Sequence, residues 1–155
     1  MIILGIDPGT KRIGYGLIEK NENDLRFICA GLLKIKSAQS LEALLETREQ
    51  IAALIKKFRP QVLAIEKIYF AKNQKTGIQV AEARGVVVAT AIEKGLAVQE
   101  FGPNEIKAGI TGYGLADKKS VLKMVKLLLG RPDIDVIDDA SDALAVAILS
   151  TRKRY

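Results

Sequence analysis

The sequence predicts an α/β fold, with one five-stranded mixed sheet flanked by helices on both faces. Short β-branched runs alternate with longer stretches in which apolar residues recur at helical spacing. Three strand candidates precede the first helix, and each later strand candidate follows a helix, which is typical of a sheet with antiparallel and parallel parts. No internal repeat or linker interrupts the 155 residues. We therefore expect residues 1–155 to form a single domain.

The first half of the chain begins as a meander of three strands. Ile2–Ile6 is a β-branched run, and the polar NEND cluster separates the next two strand candidates, Ile13–Glu19 and Leu25–Ile35. The apolar period then changes to that of an amphipathic helix over Leu41–Phe58, for which Ser40 is the predicted N-cap.

The second half alternates strands with helices. The apolar run Gln61–Ile65 predicts a buried parallel strand, and Leu96–Phe101 predicts a fifth strand. The predicted helices are Gly77–Lys94, Asn104–Ile110, Asp117–Leu129 and Asp139–Leu149. The middle of the first of these, GVVVATAI, is apolar enough to be core.

The composition excludes several classes of chemistry. The chain has 24 Lys and Arg against 18 Asp and Glu, a net charge of +6, which favours a polyanionic partner such as nucleic acid. Without His there is no Ser-His-Asp triad and no imidazole metal ligand. The single cysteine, Cys29, excludes an internal disulfide and reads as a buried structural thiol. Because the N-terminus lacks signal-peptide features and no apolar run could span a bilayer, we expect a cytoplasmic protein without a membrane partner.

Two acidic residues end apolar strands. Asp7 follows IILGI and Glu66 follows VLAI. An unpaired carboxylate is costly in apolar surroundings, so each needs a compensating partner or a function. The alternatives are that Asp7 begins a turn and that Glu66 pairs with a neighbouring Lys or Arg.

Two more acids, Asp139 and Asp142, stand three residues apart at the start of the last helix and project from one face of its first turn. Asp138 or Asp139 could also simply cap this helix. Strand ends and helix N-termini can meet at one edge of an open sheet, where ligands bind. Carboxylates that converge there would need a cation, and oxygen ligands favour Mg²⁺ or Mn²⁺. Two such ions about 4 Å apart can hydrolyse a phosphodiester.

Four strings carry a family resemblance: GIDPGT at 5–10, AIEKIYFAKN at 64–73, EARG at 82–85 and DDASDALAVAI at 138–148. In this order and spacing they resemble the RuvC family of bacterial Holliday junction resolvases, over about residues 2–148. The resemblance implies an RNase H-like fold, a homodimer and a Mg²⁺-dependent endonuclease that nicks two strands of a four-way DNA junction symmetrically. It also implies that the RuvA–RuvB branch-migration complex is a partner of the protein.

The resemblance assigns the catalytic, metal-binding acids to Asp7, Glu66, Asp139 and Asp142. Asp138 is adjacent to this pattern but out of register with it. Some members of the family carry a His at the third position, where this chain has Asp139 and so keeps a full carboxylate set of ligands for two ions of Mg²⁺, or of Mn²⁺ as a substitute.

The resemblance further implies DNA contacts. Tyr69 corresponds to a family aromatic that acts near the junction centre, where it could stack on an unpaired base, whereas the adjacent Phe70 is typical of core. Lys107 and Lys118 match family lysines on the DNA-facing side, although from sequence alone they read as solvated surface residues. Further phosphate contacts are predicted from proximity to these motifs, at Arg12, Lys72, Lys75 and Lys119. The glycines of TGYGL at 111–115 indicate a flexible turn.

Three other functions stay open at the level of sequence. A related RNase H-like nuclease acting on RNA or simpler DNA would use the same acids without a junction preference. A sugar-kinase or actin-like ATPase also carries Asp-x-Gly-Thr but needs two lobes, for which 155 residues are too few. A non-enzymatic basic binding module would leave the four acids without a purpose.

Overall fold

The computed structural model describes residues 1–22, 24–68, 74–136 and 138–153, with the backbone alone for residues 74–76. Five strands and five helices are formed within these ranges. In chain order they are β1 (Ile2–Asp7), β2 (Arg12–Lys20), β3 (Leu25–Lys34), α1 (Ser40–Phe58), β4 (Val62–Glu66), α2 (Gln74–Glu93), β5 (Ala97–Phe101), α3 (Pro103–Thr111), α4 (Lys118–Leu128) and α5 (Asp138–Ser150).

The strands form one mixed sheet in the order β3-β2-β1-β4-β5. The meander β1-β2-β3 is antiparallel, whereas β4 pairs parallel with β1 and β5 pairs parallel with β4. The α/β prediction of a five-stranded mixed sheet is thereby confirmed. Because both faces of the central strands are covered, β1 and β4 are apolar almost throughout, as expected of strands buried on both sides.

Alternation along the strands divides the core into two layers. Leu4 and Leu63 belong to the core that α1 and α2 cover, whereas Ile3 and Ala64 belong to the core that α3, α4 and α5 cover. α5 is the most buried helix, with every residue from Ala143 to Ser150 buried, and it packs on β1 and β2. Its first turn is thus held against the central strands β1 and β2 of the sheet.

Three details differ from the sequence prediction. The N-cap of α1 is Gln39, without a side-chain hydrogen bond, and Ser40 is the first helical residue. α2 begins at Gln74, three residues before the predicted start, because its first turn is polar and the apolar pattern begins only later. Cys29 is half-buried on β3, where burial raises the pKa of its thiol. In the part of the chain that the structure describes, no helix has the length and apolarity to cross a bilayer.

Candidate active site

Asp7 and Glu66 end two neighbouring parallel strands. Ile6 of β1 is level with Ile65 of β4, so the residue after each lies at the same edge of the sheet. Side chains on one face of a strand recur every second residue. Asp7 therefore shares the face of Ile3, and Glu66 shares the face of Ala64, which is the face that α5 covers. The two carboxylates project side by side toward α5.

α5 lies directly on the sheet beside these strand ends because glycines allow a close approach. Gly14 is the partner of Asp7 in the β1–β2 ladder, and a methyl group there would collide with the backbone carbonyl of Asp139. A methyl group at Gly5 would likewise collide with the carbonyl of Ala143. With no side chain between them, helix and sheet pack backbone to backbone. The first turns of α5 consequently bring Asp139 and Asp142 over the end of β1.

The electrostatics of Asp7 show that the four acids are neighbours. Burial, followed by the charges of Asp142, Glu66 and Asp139, raises the pKa of Asp7 from 3.8 to about 7. Burial and the charge of Asp142 also raise the pKa of Glu66. A carboxylate that is partly buried among other carboxylates favours its protonated form, so this cluster is electrostatically strained at neutral pH.

Basic side chains surround the acids. The Lys118 ammonium, at the start of α4, lies 3.2 Å from Asp142 Oδ2 and 3.8 Å from Asp138 Oδ2. Burial would lower the pKa of Lys118, but the charges of Asp142, Asp138 and Asp7 outweigh it and the pKa is raised. Arg12 Nε, at the start of β2, lies 3.5 Å from Asp139 Oδ2. Each pair is largely solvent-exposed on its basic side and can exchange partners at little cost.

A cleft of about 250 Å³ opens beside these groups, between β4 and the helices α3, α4 and α5. Glu66 and Asp142 line it together with Lys107 and Lys118, and its remaining lining residues are Pro103, Ile106 and Val121. The charge of Lys107 lowers the pKa of Glu66, against the effect of burial. Another depression, of about 140 Å³ between α1, α2 and the turn at Thr10 and Lys11, contains none of the four acids.

Comparison with known proteins identifies the family of this chain. The family model for crossover junction endodeoxyribonuclease RuvC matches residues 3–150. The chain belongs to the RuvC family. A crossover junction endodeoxyribonuclease RuvC from Caldicellulosiruptor saccharolyticus is 45% identical over 152 residues, which cover 96% of this chain and 90% of the relative.

Solved RuvC structures share the fold. The Thermus thermophilus RuvC structure superimposes with a TM-score of 0.86 at 28% identity, covering 97% of this chain and 93% of that one. T. thermophilus RuvC in complex with a Holliday junction substrate gives a TM-score of 0.86 at 25% identity, with the same coverage. The RNase H-like fold that the motifs imply is thus confirmed.

The donor set of this RuvC-family chain suits a hard divalent cation, since it consists of carboxylate oxygens whose mutual repulsion a cation would relieve. As the side chains stand, however, no three acidic or sulfur-bearing groups within the described residues are arranged to hold one metal ion. Ion pairs join Asp139 to Arg12 and Asp142 to Lys118.

The structure distinguishes Asp139 from Asp138. The side chain of Asp138 is 74% exposed and pairs with Lys118, whereas those of Asp139 and Asp142 are 27% and 29% exposed. After burial and the charges of Asp142 and Glu66, the charge of Asp139 raises the pKa of Asp7. The assignment of Asp139 rather than Asp138 to the acid set stays a prediction.

The structure describes some, but not all, of the residues that are predicted to contact DNA. Lys107, Lys118 and Arg12 lie beside the acids, as described above. Lys119 is exposed on α4 and does not line the cleft. Hydrogen bonds with Ser120, and to a smaller extent the charge of Lys119, lower the pKa of Asp117 at the N-cap of that helix. Tyr69, Phe70, Lys72 and the side chain of Lys75 lie outside the described residues. The TGYGL segment forms a turn in which Gly112 has a φ of 82° and Tyr113 is exposed.

Sequence analysis gave no chemical role to Arg84. This residue of α2 donates from Nε to the backbone carbonyl of Glu66 over 3.0 Å and pairs with Glu100 of β5. The only sequence signal was its place in the EARG string, which carried the resemblance but indicated no contact.

Proposed function

We propose that this chain is an endonuclease that uses divalent metal ions to resolve four-way DNA junctions by paired symmetric nicks, in homologous recombination and repair. The observation that carries the proposal is the convergence of Asp7, Glu66, Asp139 and Asp142 at one sheet edge, in a member of the RuvC family. The T. thermophilus complex with a Holliday junction supports this substrate. We propose one nuclease domain, over residues 1–155, that acts on DNA rather than on RNA.

The four carboxylates would hold two Mg²⁺ ions, with Mn²⁺ as a substitute. When bound, such a pair of ions activates a water molecule and stabilises the leaving oxygen of the phosphodiester. The protein's part is to keep Asp7 and Glu66 on rigid strand ends and Asp139 and Asp142 on a buried helix. Because the pKa of Asp7 is raised to about 7, metal binding at neutral pH must displace a proton from this carboxyl.

The basic residues of the cleft would bind the DNA backbone. Lys118 and Arg12 now pair with Asp142 and Asp139, and a metal ion that takes these carboxylates frees both cations for phosphate oxygens. Lys107 lines the same cleft as Glu66 and would contact the strand to be cut. With four acids engaged by metal, 14 acidic residues face 24 basic ones, which favours a polyanionic substrate. Base stacking by Tyr69 and phosphate contacts by Lys72, Lys75 and Lys119 stay predictions.

Symmetric nicking requires two active sites, and we propose a homodimer that uses α1 and α2. Leu41 and Leu45 lie one turn apart on α1 with 81% and 55% exposure, and Ile78 on α2 is 61% exposed. Large apolar side chains that are close together and exposed are typical of interaction surfaces. In a two-fold symmetric dimer formed through α1 and α2, the exposed apolar side chains of one subunit would pack against the same surface of the other subunit.

The setting of the reaction is also proposed from family membership alone. We propose that the enzyme acts in the cytoplasm, on junctions supplied by the RuvA–RuvB branch-migration complex. Membership of a nuclease family argues against the ATPase and the non-enzymatic binding module.

The deciding experiment compares substrates in the presence of Mg²⁺. A synthetic four-way junction, a linear duplex of the same arm sequence and an RNA–DNA hybrid are incubated with the wild-type chain. We expect paired nicks at symmetric positions in the junction and little cutting of the other two. Equal cutting of junction and duplex would overturn junction selectivity, and preferential cutting of the hybrid would favour the RNA-directed alternative.

The same assay with Glu66→Gln tests the catalytic role of the acids. We expect cutting to fall to background while junction binding stays intact, because removing a negative charge reduces the repulsion of phosphates. Glu22→Gln, at an exposed position between β2 and β3, is the matched control and should cut normally. Loss of junction binding by Glu66→Gln would contradict the assignment.

A further inference from the structure

Arg84 connects α2 to the end of the strand that carries Glu66. Its side chain is only 19% exposed. The Nε atom donates to the backbone carbonyl of Glu66 over 3.0 Å, and the terminal nitrogen pairs with the carboxylate of Glu100 on β5. A largely buried cation is retained in a fold when it is paired and hydrogen-bonded, and Arg84 meets both conditions.

The carbonyl of Glu66 needs a donor from outside the sheet. The N–H of Lys67 donates to the carbonyl of Phe101 over 2.8 Å, toward β5. In a planar trans peptide the carbonyl points away from the N–H, so the Glu66 carbonyl points toward β1. With Ile6 level with Ile65, the next residue of β1 able to serve that carbonyl is Pro8, which has no N–H. Arg84 supplies the hydrogen bond that the ladder cannot make.

This contact acts on the residue whose side chain faces the acid cluster. The direction of a side chain follows from the orientation of its backbone, and Glu66 is the last residue of its strand. Without Arg84, the peptide between Glu66 and Lys67 would keep the hydrogen bond from the Lys67 N–H to Phe101 but lose the one at its carbonyl. The guanidinium fork can hold the carbonyl and the carboxylate at once, because its N–H groups are fixed in one plane.

We propose that Arg84 is a positioning residue for Glu66, held in place by Glu100, and that it keeps the Glu66 carboxylate directed at the metal-binding cluster. The proposal deepens the proposed function and rests on the role given there to Glu66. Partners of this kind, one contact away from a metal ligand, typically change metal affinity or activity by about 10- to 100-fold when they are removed.

The test uses Arg84→Ala, Arg84→Lys and Glu100→Gln. Arg26→Ala is the matched control, because Arg26 pairs with Glu19 at the opposite end of the sheet from the acids and lies outside α1 and α2. Calorimetric titration with Mn²⁺ measures metal affinity without DNA. Single-turnover junction cleavage and junction binding in EDTA separate the cutting rate from affinity for the substrate.

For Arg84→Ala we expect Mn²⁺ affinity and cleavage rate each to fall about 10- to 100-fold, with junction binding in EDTA unchanged. Glu100→Gln and Arg84→Lys should lose less in the same direction, since each keeps part of the contact. Arg26→Ala should match the wild type in all three measurements. If Arg84→Ala does not fold, the same comparison with Arg84→Lys and Glu100→Gln decides.

Two outcomes separate this inference from the proposed function. If the wild type resolves junctions and the Arg84 and Glu100 variants match Arg26→Ala in Mn²⁺ affinity and rate, the positioning role is wrong and the function stands. If the wild type cuts no junction but Arg84→Ala still weakens Mn²⁺ binding, the junction function is wrong and the positioning role stands. Lower thermal stability of Arg84→Ala with normal Mn²⁺ affinity would reduce Arg84 to a structural contact and overturn the inference.

Discussion

Replacement of Asp7 by Asn should stabilise the metal-free protein while it abolishes activity. The pKa of Asp7 is raised from 3.8 to about 7 by burial and by Asp142, Glu66 and Asp139. One pKa unit corresponds to about 1.4 kcal/mol, so the ionised carboxylate costs the fold at most about 4 kcal/mol. Because the native pKa lies above the unfolded one, this cost is absent below pH about 4, grows as the pH rises and is complete above pH about 7.

Chemical denaturation in EDTA at several pH values measures this effect as the difference between Asp7→Asn and wild type. We expect almost no difference at pH 4 and a gain for Asp7→Asn of about 2–4 kcal/mol at pH 8. The largest part of this gain reflects burial of Asp7, and the rest comes from the repulsion of its carboxylate by Asp142, Glu66 and Asp139. Added Mg²⁺ should cancel or reverse this difference, since ligand at about 1,000 times its Kd stabilises by about 4.1 kcal/mol and only the wild type keeps the full site.

The exposed variant Asp135→Asn is the control, and its stability should follow that of the wild type at every pH. Lower stability of Asp7→Asn at pH 8 in EDTA would refute the reasoning, because it would mean that the ionised Asp7 is favourably paired in the fold. Equal stabilisation of both proteins by Mg²⁺ would refute the assignment of Asp7 as a metal ligand.

Two further predictions concern packing and assembly. Gly14→Ala should destabilise the protein by about 1–3 kcal/mol in denaturation experiments, because the added methyl group would meet the backbone of Asp139. The control Gly85→Ala, which has open space around it, should be neutral or stabilising. Equal effects of the two substitutions on stability would contradict the close approach of α5 to the sheet. The double variant Leu41→Lys and Leu45→Lys should sediment as a monomer and nick one strand at a time, while Leu127→Lys on α4 stays dimeric; a dimeric double variant would exclude the proposed interface.

Local patterns were enough to predict most of the helices and strands, and also that Asp7 and Glu66 follow apolar strands. The β-branched runs before Asp7 and Glu66 and the helical spacing after Ser40 depend on neighbours within a few positions, which is the range over which periodicity acts. The same locality explains the errors at boundaries. The polar first turn of α2 has no apolar pattern, so its start was placed at Gly77 rather than Gln74.

By itself, then, the sequence determined the α/β class, the family motifs and the four acids as candidates. Which of these acids meet was decided only by the tertiary structure. Asp7 and Glu66 are neighbours because β4 pairs with β1, and Asp139 joins them because α5 packs on Gly14. The partners of the acids, Lys118, Arg12 and Arg84, come from other elements. Such contacts join residues far apart in the chain, and strand order and helix packing over the whole core, rather than local preference, select them.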